Sequence, residues 1–303
     1  MNVIETKNLT KYYGGVKGIK DLNLIVEKGD FFGFIGPNGA GKSTCIRTLL
    51  GLIYPTGGKA SVLGHDIITG HNEILRSIGY LPSEINFYNN MKVKDVIRYS
   101  ADLQGKKCDE EAAMLCERLD LDTEKRADVL SLGNRKKAGI VCALQHRPEL
   151  LILDEPTSGL DPLMQREFFK ILREYNEAGT TVFLSSHILS EVQAHCRTAA
   201  FIKDGSIIIS DKVEKLEETG AKKVVIRDSV SDKLICELKR QSRAEKGNTE
   251  GIVTDLKSDE TGTSFLYTGE MPALLRLLAE EGPGDISITE PTMEEIFMNY
   301  YGS

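Results

Sequence analysis

Short and almost uninterrupted runs of apolar residues stand out along the chain at positions 30–35, 150–153 and 180–184. Runs this continuous are typical of strands buried on both faces, as in a parallel sheet covered by helices. A glycine-rich turn follows the first run, a pair of carboxylates the second, and serines with a histidine the third. Because open α/β sheets bind ligands at the carboxyl ends of their strands, the pattern predicts a site at this edge.

Helix-like segments lie between these runs. One begins at Lys42, directly after the glycine-rich turn, and two more at 93–104 and 109–119 occupy a stretch with no clear strand. The change from strand-like to helix-like patterns, between the apolar runs at 30–35 and 150–153, predicts a helical subdomain over about residues 84–148.

The pattern changes again after Gly205. A hairpin-like run leads into an alternating stretch at 223–226 and a helical one at 271–281. The sequence therefore predicts an α/β domain at 1–220 and a small α+β accessory domain at 221–303. The accessory segment is the more acidic, with 10 Lys and Arg against 15 Asp and Glu.

Composition and charge narrow the class of protein. The 303 residues are 41% hydrophobic and 27% charged, which is ordinary for a soluble globular chain. The roughly 18–20 consecutive apolar residues needed to cross a bilayer are nowhere present, and the beginning lacks a secretion-signal pattern, so we expect a cytoplasmic protein. A net charge of −7 argues against a general nucleic-acid binder, and we expect no nucleic-acid partner.

The glycine-rich turn has the form G-x-x-x-x-G-K-S between a strand and a helix. Its glycines allow backbone N–H groups to surround phosphate oxygens, and its lysine reaches the outer phosphates of a nucleoside triphosphate. The serine is a candidate Mg²⁺ ligand. The alternative to nucleotide binding is a structural glycine-rich turn that precedes a helix and binds nothing. The candidate nucleotide-binding residues are Gly36, Pro37, Asn38, Gly39, Ala40, Gly41, Lys42, Ser43 and Thr44.

The carboxylates after the second strand supply what such a site still lacks. Asp154 is suited to hold Mg²⁺ through water, and Glu155 to align or deprotonate an attacking water. Taken alone, this Asp-Glu-Pro segment could simply cap the following helix. Its position after a strand, in a chain that also has the phosphate loop, favours the catalytic interpretation.

In these and further motifs the sequence resembles the ATP-binding cassette (ABC) family. Residues 130–134 are similar to its signature motif, 158–161 to its D-loop, His187 to its switch histidine, and 9–14 to the segment whose aromatic ring stacks on adenine. The resemblance covers about residues 3–220. The closing segment 290–297 more weakly resembles the end of bacterial multidrug and antibiotic-export ATPases.

The resemblance implies a fold and a set of residue roles. The fold would be a P-loop NTPase cassette, with a mainly parallel core sheet, an antiparallel β part and a helical subdomain. His187 would act in catalysis beside Glu155, and Tyr13 would stack on the base. Cassettes of the family pair head to tail, so the second cassette's nucleotide would be contacted by Ser131, Gly133 and Asp161.

The resemblance also implies partners and a function. ATP and Mg²⁺ would be the ligands, and a membrane permease and a second copy of the cassette the partners. The chain would then be peripheral on the inner face of the membrane, hydrolysing ATP to power export. A soluble ABC ATPase is an alternative, although the chain has one cassette and neither a heptad run nor a basic patch. A nucleotide sensor that no longer hydrolyses ATP is another; Glu155 weighs against it.

The chain departs from the family pattern at a few positions. Ser83 stands where a glutamine is usual, and Leu132 and Asn134 replace a glycine and a glutamine of the signature motif. Serine is too short to span the same distance, so Ser83 is a candidate metal contact only through a bridging water. The other option is that Glu84 swings into the gap.

Overall fold

The computed structural model describes residues 1–88, 90–217, 221–227, 234–236, 238, 240, 252–259, 262–292 and 295–296. The chain divides into two compact units, Met1–Val213 and Glu214–Ser303. The sequence predicts a boundary after Gly220, which lies outside the described residues, whereas the two units separate after Val213.

The first unit is a mixed α/β structure. Its strands in chain order are β1 (Asn2–Tyr13), β2 (Val16–Glu27), β3 (Phe31–Ile35), β4 (Gly57–Val62), β5 (His65–Asp66), β6 (Ile78–Leu81), β7 (Leu150–Asp154), β8 (Thr181–Ser186), β9 (Thr198–Lys203) and β10 (Ser206–Lys212). Its helices are α1 (Lys42–Leu49), α2 (His71–Ser77), α3 (Val93–Gln104), α4 (Asp109–Arg118), α5 (Leu132–Leu144), α6 (Pro162–Glu177) and α7 (Leu189–His195). Helix α8 (Val213–Glu217) begins at the last residue of this unit and continues into the second. Among the described residues, no helix is both long and apolar enough to span a bilayer.

The central sheet has six strands in the order β10-β9-β3-β8-β7-β6. From β9 to β6 all neighbours are parallel, and β10 pairs antiparallel with β9. Every residue of β3, β7 and β8 is buried. This confirms the strands that the continuous apolar runs predict, because a parallel sheet covered on both faces needs apolar residues on both sides of each strand.

A second sheet, antiparallel and in the order β2-β1-β4-β5, packs on the same core. One cluster of buried side chains includes Ile4 of β1, Leu22 of β2, Phe34 of β3 and Ile46 of α1. Helix α1 thus contributes to a core that both sheets share. The strands of this sheet alternate buried and exposed residues over part of their length, as expected for a sheet with one solvated face.

Helices α3, α4 and α5, with a short 3-10 helix at Ala127–Val129, lie between β6 and β7 in the chain. The segments predicted at 93–104 and 109–119 are confirmed as α3 and α4. Helix α5 begins where the Ser131 hydroxyl accepts a hydrogen bond from the Asn134 N–H, an N-cap that satisfies one of the helix's free donors.

The second unit has its own sheet and its own core. Its strands are β11 (Ala221–Ile226), β12 (Ile252–Asp259), β13 (Gly262–Thr268) and β14 (Ile286–Thr289), in the antiparallel order β12-β13-β11-β14, and its helix α9 is Met271–Glu281. Its core consists of Val224, Phe265, Tyr267 and Leu274 with their neighbours. A small α+β domain is therefore present, as the sequence predicts.

Candidate active site

The predicted phosphate loop, carboxylates and histidine meet at one edge of the central sheet. Strand β8 pairs in parallel with β3 on one side and with β7 on the other. The segments that follow these strands, beginning at Gly36, His187 and Glu155, therefore leave the sheet side by side. The residues predicted for a site at the carboxyl ends of the strands therefore lie at one edge of the sheet.

The phosphate loop runs from Gly36 to the start of α1. Its tip is open, since Pro37, Asn38 and Gly39 are exposed. Gly41 has a φ of 106°, and a Cβ there would lie 2.6 Å from the carbonyl oxygen of Gly18. Only glycine fits this position, because both the backbone angle and the space exclude a side chain. The loop then turns directly into α1, whose N-terminus has no side-chain cap. Free N–H groups at the start of a helix favour a bound anion.

Lys42 lies along the loop with only 6% of its surface exposed. Its Nζ donates hydrogen bonds to the carbonyl oxygens of Gly36, at 2.5 Å, and Pro37, at 3.2 Å. The same atom lies 3.1 Å from Oε1 of Glu155. The ammonium group is thus held at the mouth of the loop, between backbone carbonyls and a carboxylate.

Glu155 is the centre of this arrangement. Its Oε2 lies 2.6 Å from Nδ1 of His187, while its Oε1 pairs with Lys42. Because an ionised carboxylate only accepts hydrogen bonds, His187 is the donor through Nδ1. The Glu155 side chain is 16% exposed and that of His187 is 48% exposed. The carboxylate is therefore largely shielded from solvent, whereas the imidazole reaches it.

Asp154 occupies the last position of β7 and is 1% exposed. Its Oδ1 accepts a hydrogen bond of 3.1 Å from the hydroxyl of Ser185 on the neighbouring strand. Burial, and after it the charge of Asp154, raises the pKa of the Tyr80 phenol. Asp154 is therefore a buried carboxylate held in place by one neighbouring hydroxyl.

The donors suited to a cation are few. Ser43 lies half-buried at the start of α1, and with Asp154 it offers hydroxyl and carboxylate oxygens, the ligand type that Mg²⁺ prefers. The described residues contain no group of three or more His, Cys, Asp or Glu that could hold a metal. These donors fit a metal ion that takes much of its coordination from phosphate oxygens and water, as Mg²⁺ does at nucleotide sites.

Tyr13 lies at the end of β1 with 47% of its surface exposed. A Cβ at Gly18 would lie 2.9 Å from Cγ2 of Thr44 and 3.0 Å from Cε2 of Tyr13. The aromatic ring and the end of the phosphate loop thus flank the same glycine. Lys11 is the other neighbour of the ring, with its Nζ 5.2 Å from the centroid.

The residues expected to contact a second cassette form a separate group. Ser131 and Asp161 are exposed, and both serve as N-caps, of α5 and α6. A Cβ on Gly133 would lie 2.7 Å from the carbonyl oxygen of Gly159, so the signature segment touches the segment that precedes α6. Within the described residues, no hydrogen bond joins this group to the phosphate loop of the same chain.

Ser83 lies half-buried just beyond β6, and Glu84 next to it is exposed. Ser83 is held through its backbone, because the Ser83 carbonyl accepts a 2.9 Å hydrogen bond from Nζ of Lys136.

Sequence reasoning did not single out Lys136, which is 1% exposed. Nor did it find Gly18. A glycine inside a strand can mark a close backbone approach, and that signal was present in the sequence.

Comparison with known proteins agrees with this geometry. The model of the family "ABC transporter" matches residues 19–158. The bacitracin transport ATP-binding protein BcrA of Bacillus licheniformis is 33% identical over 99% of this chain and 97% of its own length. A solved structure described as the ATP binding subunit of an ABC transporter is 27% identical, with a TM-score of 0.68 over 71% of this chain and 92% of that one.

A second solved structure, the dimeric bacterial ABC transporter cassette MJ0796, is 24% identical and shares the fold, with a TM-score of 0.64 over 69% of this chain and 98% of that one. The predicted fold class and ATPase activity are confirmed, and neither the soluble ATPase nor the nucleotide sensor is favoured. The chain belongs to the ABC transporter family, in which it is an ATP-binding and ATP-hydrolysing subunit.

Proposed function

We propose that this chain hydrolyses ATP at the edge of its central sheet, with Glu155 as the hydrolytic carboxylate, and so powers export through a separate membrane permease. The convergence of Lys42 and His187 on the two oxygens of Glu155 carries the proposal. A carboxylate that is hydrogen-bonded at one oxygen and ion-paired at the other, beside a phosphate loop, is placed to align and deprotonate a water molecule that attacks a terminal phosphate.

The residues of the phosphate loop bind the triphosphate. The N–H groups at the start of α1 and the Lys42 ammonium face the phosphates, and Tyr13 supports the base by stacking. Mg²⁺ bound by Ser43 and Asp154 would supply positive charge to the phosphate oxygens. His187 orients Glu155 through Nδ1, and its exposed ring is placed to contact the outermost phosphate.

We propose that two copies of the chain act together. Ser131, Gly133 and Asp161 lie on exposed helix starts, where they are available to a nucleotide held by another copy. The relation to cassettes such as MJ0796, whose structure is described as dimeric, supports a head-to-tail homodimer. Nucleic acid is not among the proposed partners, because the chain carries an acidic excess.

The relative BcrA is described as a bacitracin transport protein, and this supports an exported antibiotic-like compound as the substrate class. The chain would lie in the cytoplasm, peripheral on the inner face of the membrane through the permease. The predicted accessory domain, 221–303, would be separable from catalysis, since every residue placed at the nucleotide site lies before it.

The proposal is tested by recovering the tagged chain from detergent-solubilised membranes and reconstituting it in vesicles with the membrane protein that accompanies it. ATP hydrolysis and efflux from the vesicles are then measured. We expect hydrolysis to rise with the membrane protein present, to disappear in Glu155→Gln, and to persist in the control Glu177→Gln, which changes an exposed carboxylate at the end of α6. Equal hydrolysis with and without membranes, and no membrane protein recovered, would favour the soluble ATPase.

A further inference from the structure

A buried lysine joins two loops of the active site. Lys136, on α5, is 1% exposed, and its Nζ donates to the carbonyl oxygens of Ser83 at 2.9 Å, Glu155 at 3.2 Å and Pro82 at 3.4 Å. An ammonium group has three N–H donors and no acceptor. All of its donors are therefore used on the backbone of the segments that follow β6 and β7.

A charge in this position is costly, because burial removes its hydration. Burial lowers the pKa of Lys136, and the nearby charges of Asp154 and Glu155 oppose that shift. Residues further along α5, such as Ala138 and Ile140, are apolar and equally buried. An apolar side chain would satisfy the packing of the helix at this position. The presence of a lysine is therefore explained by the backbone carbonyl groups that its ammonium group binds.

The two loops are adjacent because their strands pair. Strands β6 and β7 run in parallel with Leu81 opposite Leu153, and the segments containing Ser83 and Glu155 follow directly. Glu155 has a φ of 51°, which is uncommon for a residue with a side chain and is kept only where the surroundings enforce it. In that conformation the carbonyl of Glu155 meets Lys136 while its carboxylate meets Lys42 and His187.

We propose that Lys136 is a positioning residue that locks the peptide of Glu155 to the Ser83 loop and thereby sets the direction of the hydrolytic carboxylate. The inference rests on the proposed role of Glu155. A displacement of the Ser83 loop is then transmitted to Glu155 through the backbone, without a long side chain at position 83.

The test compares Lys136→Met with Lys137→Met. Lys137 is the next residue of α5, is 9% exposed, and donates one hydrogen bond, of 3.3 Å, to the carbonyl of Asp120. The two variants thus make the same substitution in the same helix, and each removes hydrogen bonds from a lysine to backbone carbonyls. They differ in that only the bonds of Lys136 reach the active site. The full chain is measured for kcat and KM with MgATP, for equilibrium ATP binding, and for thermal unfolding.

We expect Lys136→Met to lower kcat by about 10- to 100-fold, the scale of a misplaced catalytic group, while ATP affinity stays within about threefold. Lys137→Met should hydrolyse ATP at close to the wild-type rate. A folded Lys136→Met with a kcat within about threefold of wild type overturns the inference, as does an equal loss in both variants.

If Lys136→Met does not unfold cooperatively, Lys136→Gln decides. Its shorter side chain carries two N–H donors in place of three, so it supports the fold but cannot hold all three carbonyl oxygens. It should bind ATP and turn over more slowly than wild type; an unchanged kcat contradicts the inference. Glu155→Gln, measured in parallel, separates the two claims. Loss of hydrolysis in Glu155→Gln with normal Lys136 variants refutes only the positioning role, whereas normal hydrolysis in Glu155→Gln refutes the role of Glu155 itself.

Discussion

Lys42 and Glu155 form an ion pair, with 3.1 Å between Nζ and Oε1, although each is assigned a different task with ATP. Both side chains are largely buried, at 6% and 16% exposure. If Lys42 binds the triphosphate as proposed, ATP would compete with Glu155 for the lysine, because one ammonium group cannot be fully shared between two anions. Binding of ATP would then weaken this ion pair.

The first prediction follows from that competition. Glu155→Gln removes the charge and keeps the shape, so Lys42 is free for phosphate. We expect ATP affinity to rise by up to about fivefold, the scale of a partly screened ion pair. Equilibrium binding measured at increasing ATP concentration gives the value, with Glu177→Gln as the control. Weaker binding in Glu155→Gln would show that the pair does not oppose ATP.

The second prediction concerns His187, whose Nδ1 lies 2.6 Å from Glu155 Oε2. His187→Ala leaves that oxygen without its donor, so the carboxylate loses its orientation. We expect kcat to fall by about 10- to 100-fold, with ATP affinity changed by less than about threefold. Steady-state hydrolysis and ATP binding give the two numbers.

His65→Ala is the control for this measurement, because His65 is exposed on β5 and has no role in the site. Equal rates for His187→Ala and wild type would remove His187 from catalysis. A fall in ATP affinity as large as the fall in kcat would instead make it a binding residue.

Base recognition should be loose, because Tyr13 is the base contact that the site offers and stacking tolerates different rings. GTP should compete with ATP for binding with only a modest loss of affinity.

Tyr13→Ala should weaken the binding of both nucleotides by about tenfold, within the range for base stacking on an aromatic ring. Competition binding checks both statements. The control is Tyr54→Ala, since Tyr54 is exposed and, within the described part of the chain, its hydrogen bond runs through the backbone carbonyl, which accepts from Lys11. A strong preference for ATP would contradict stacking as the main contact.

The fourth prediction concerns position 83. Glu84 is exposed and the Ser83 loop is held by its backbone. We therefore predict that a water, and not Glu84, takes the place of the usual glutamine. A carboxylate added among several anions would also cost electrostatic energy. We expect Ser83→Gln to hydrolyse ATP at least as fast as wild type and Glu84→Gln to change the rate little. A collapse in Glu84→Gln that Ser83→Gln does not restore would make Glu84 the ligand.

The sequence could predict which edge of the central sheet carries the candidate site, because the strands of that sheet are buried on both faces. Such strands need continuous apolar runs, and the polar residues that end each run then mark the edge. Gly36, Asp154 and His187 could therefore be placed near one another from their order in the chain. The antiparallel sheet, the role of Tyr13 and the cassette fold came from the family resemblance, because short-range pattern does not encode pairing between distant strands.

Other features depend on contacts between segments far apart in the chain. A lysine in a helix is ordinarily a solvated residue, whereas Lys136 is 1% exposed and its ammonium group is bonded to the loops after β6 and β7. The positive φ of Glu155 has no local sequence signal, since it is enforced by tertiary surroundings. The predicted boundary after Gly220 rests on a shift in composition and stays a prediction, because Gly220 lies outside the described residues.

The central claim is that Glu155 performs the hydrolytic step, and single turnover tests it most directly. Protein in excess over labelled ATP is mixed with Mg²⁺, quenched at intervals, and the bound nucleotide is identified. Wild type should convert the bound ATP to ADP, whereas Glu155→Gln should hold it as ATP, with a rate lower by about 10² to 10⁴-fold as expected for loss of a general base. Conversion in Glu155→Gln within about threefold of wild type would contradict the claim, because a general base contributes far more than that.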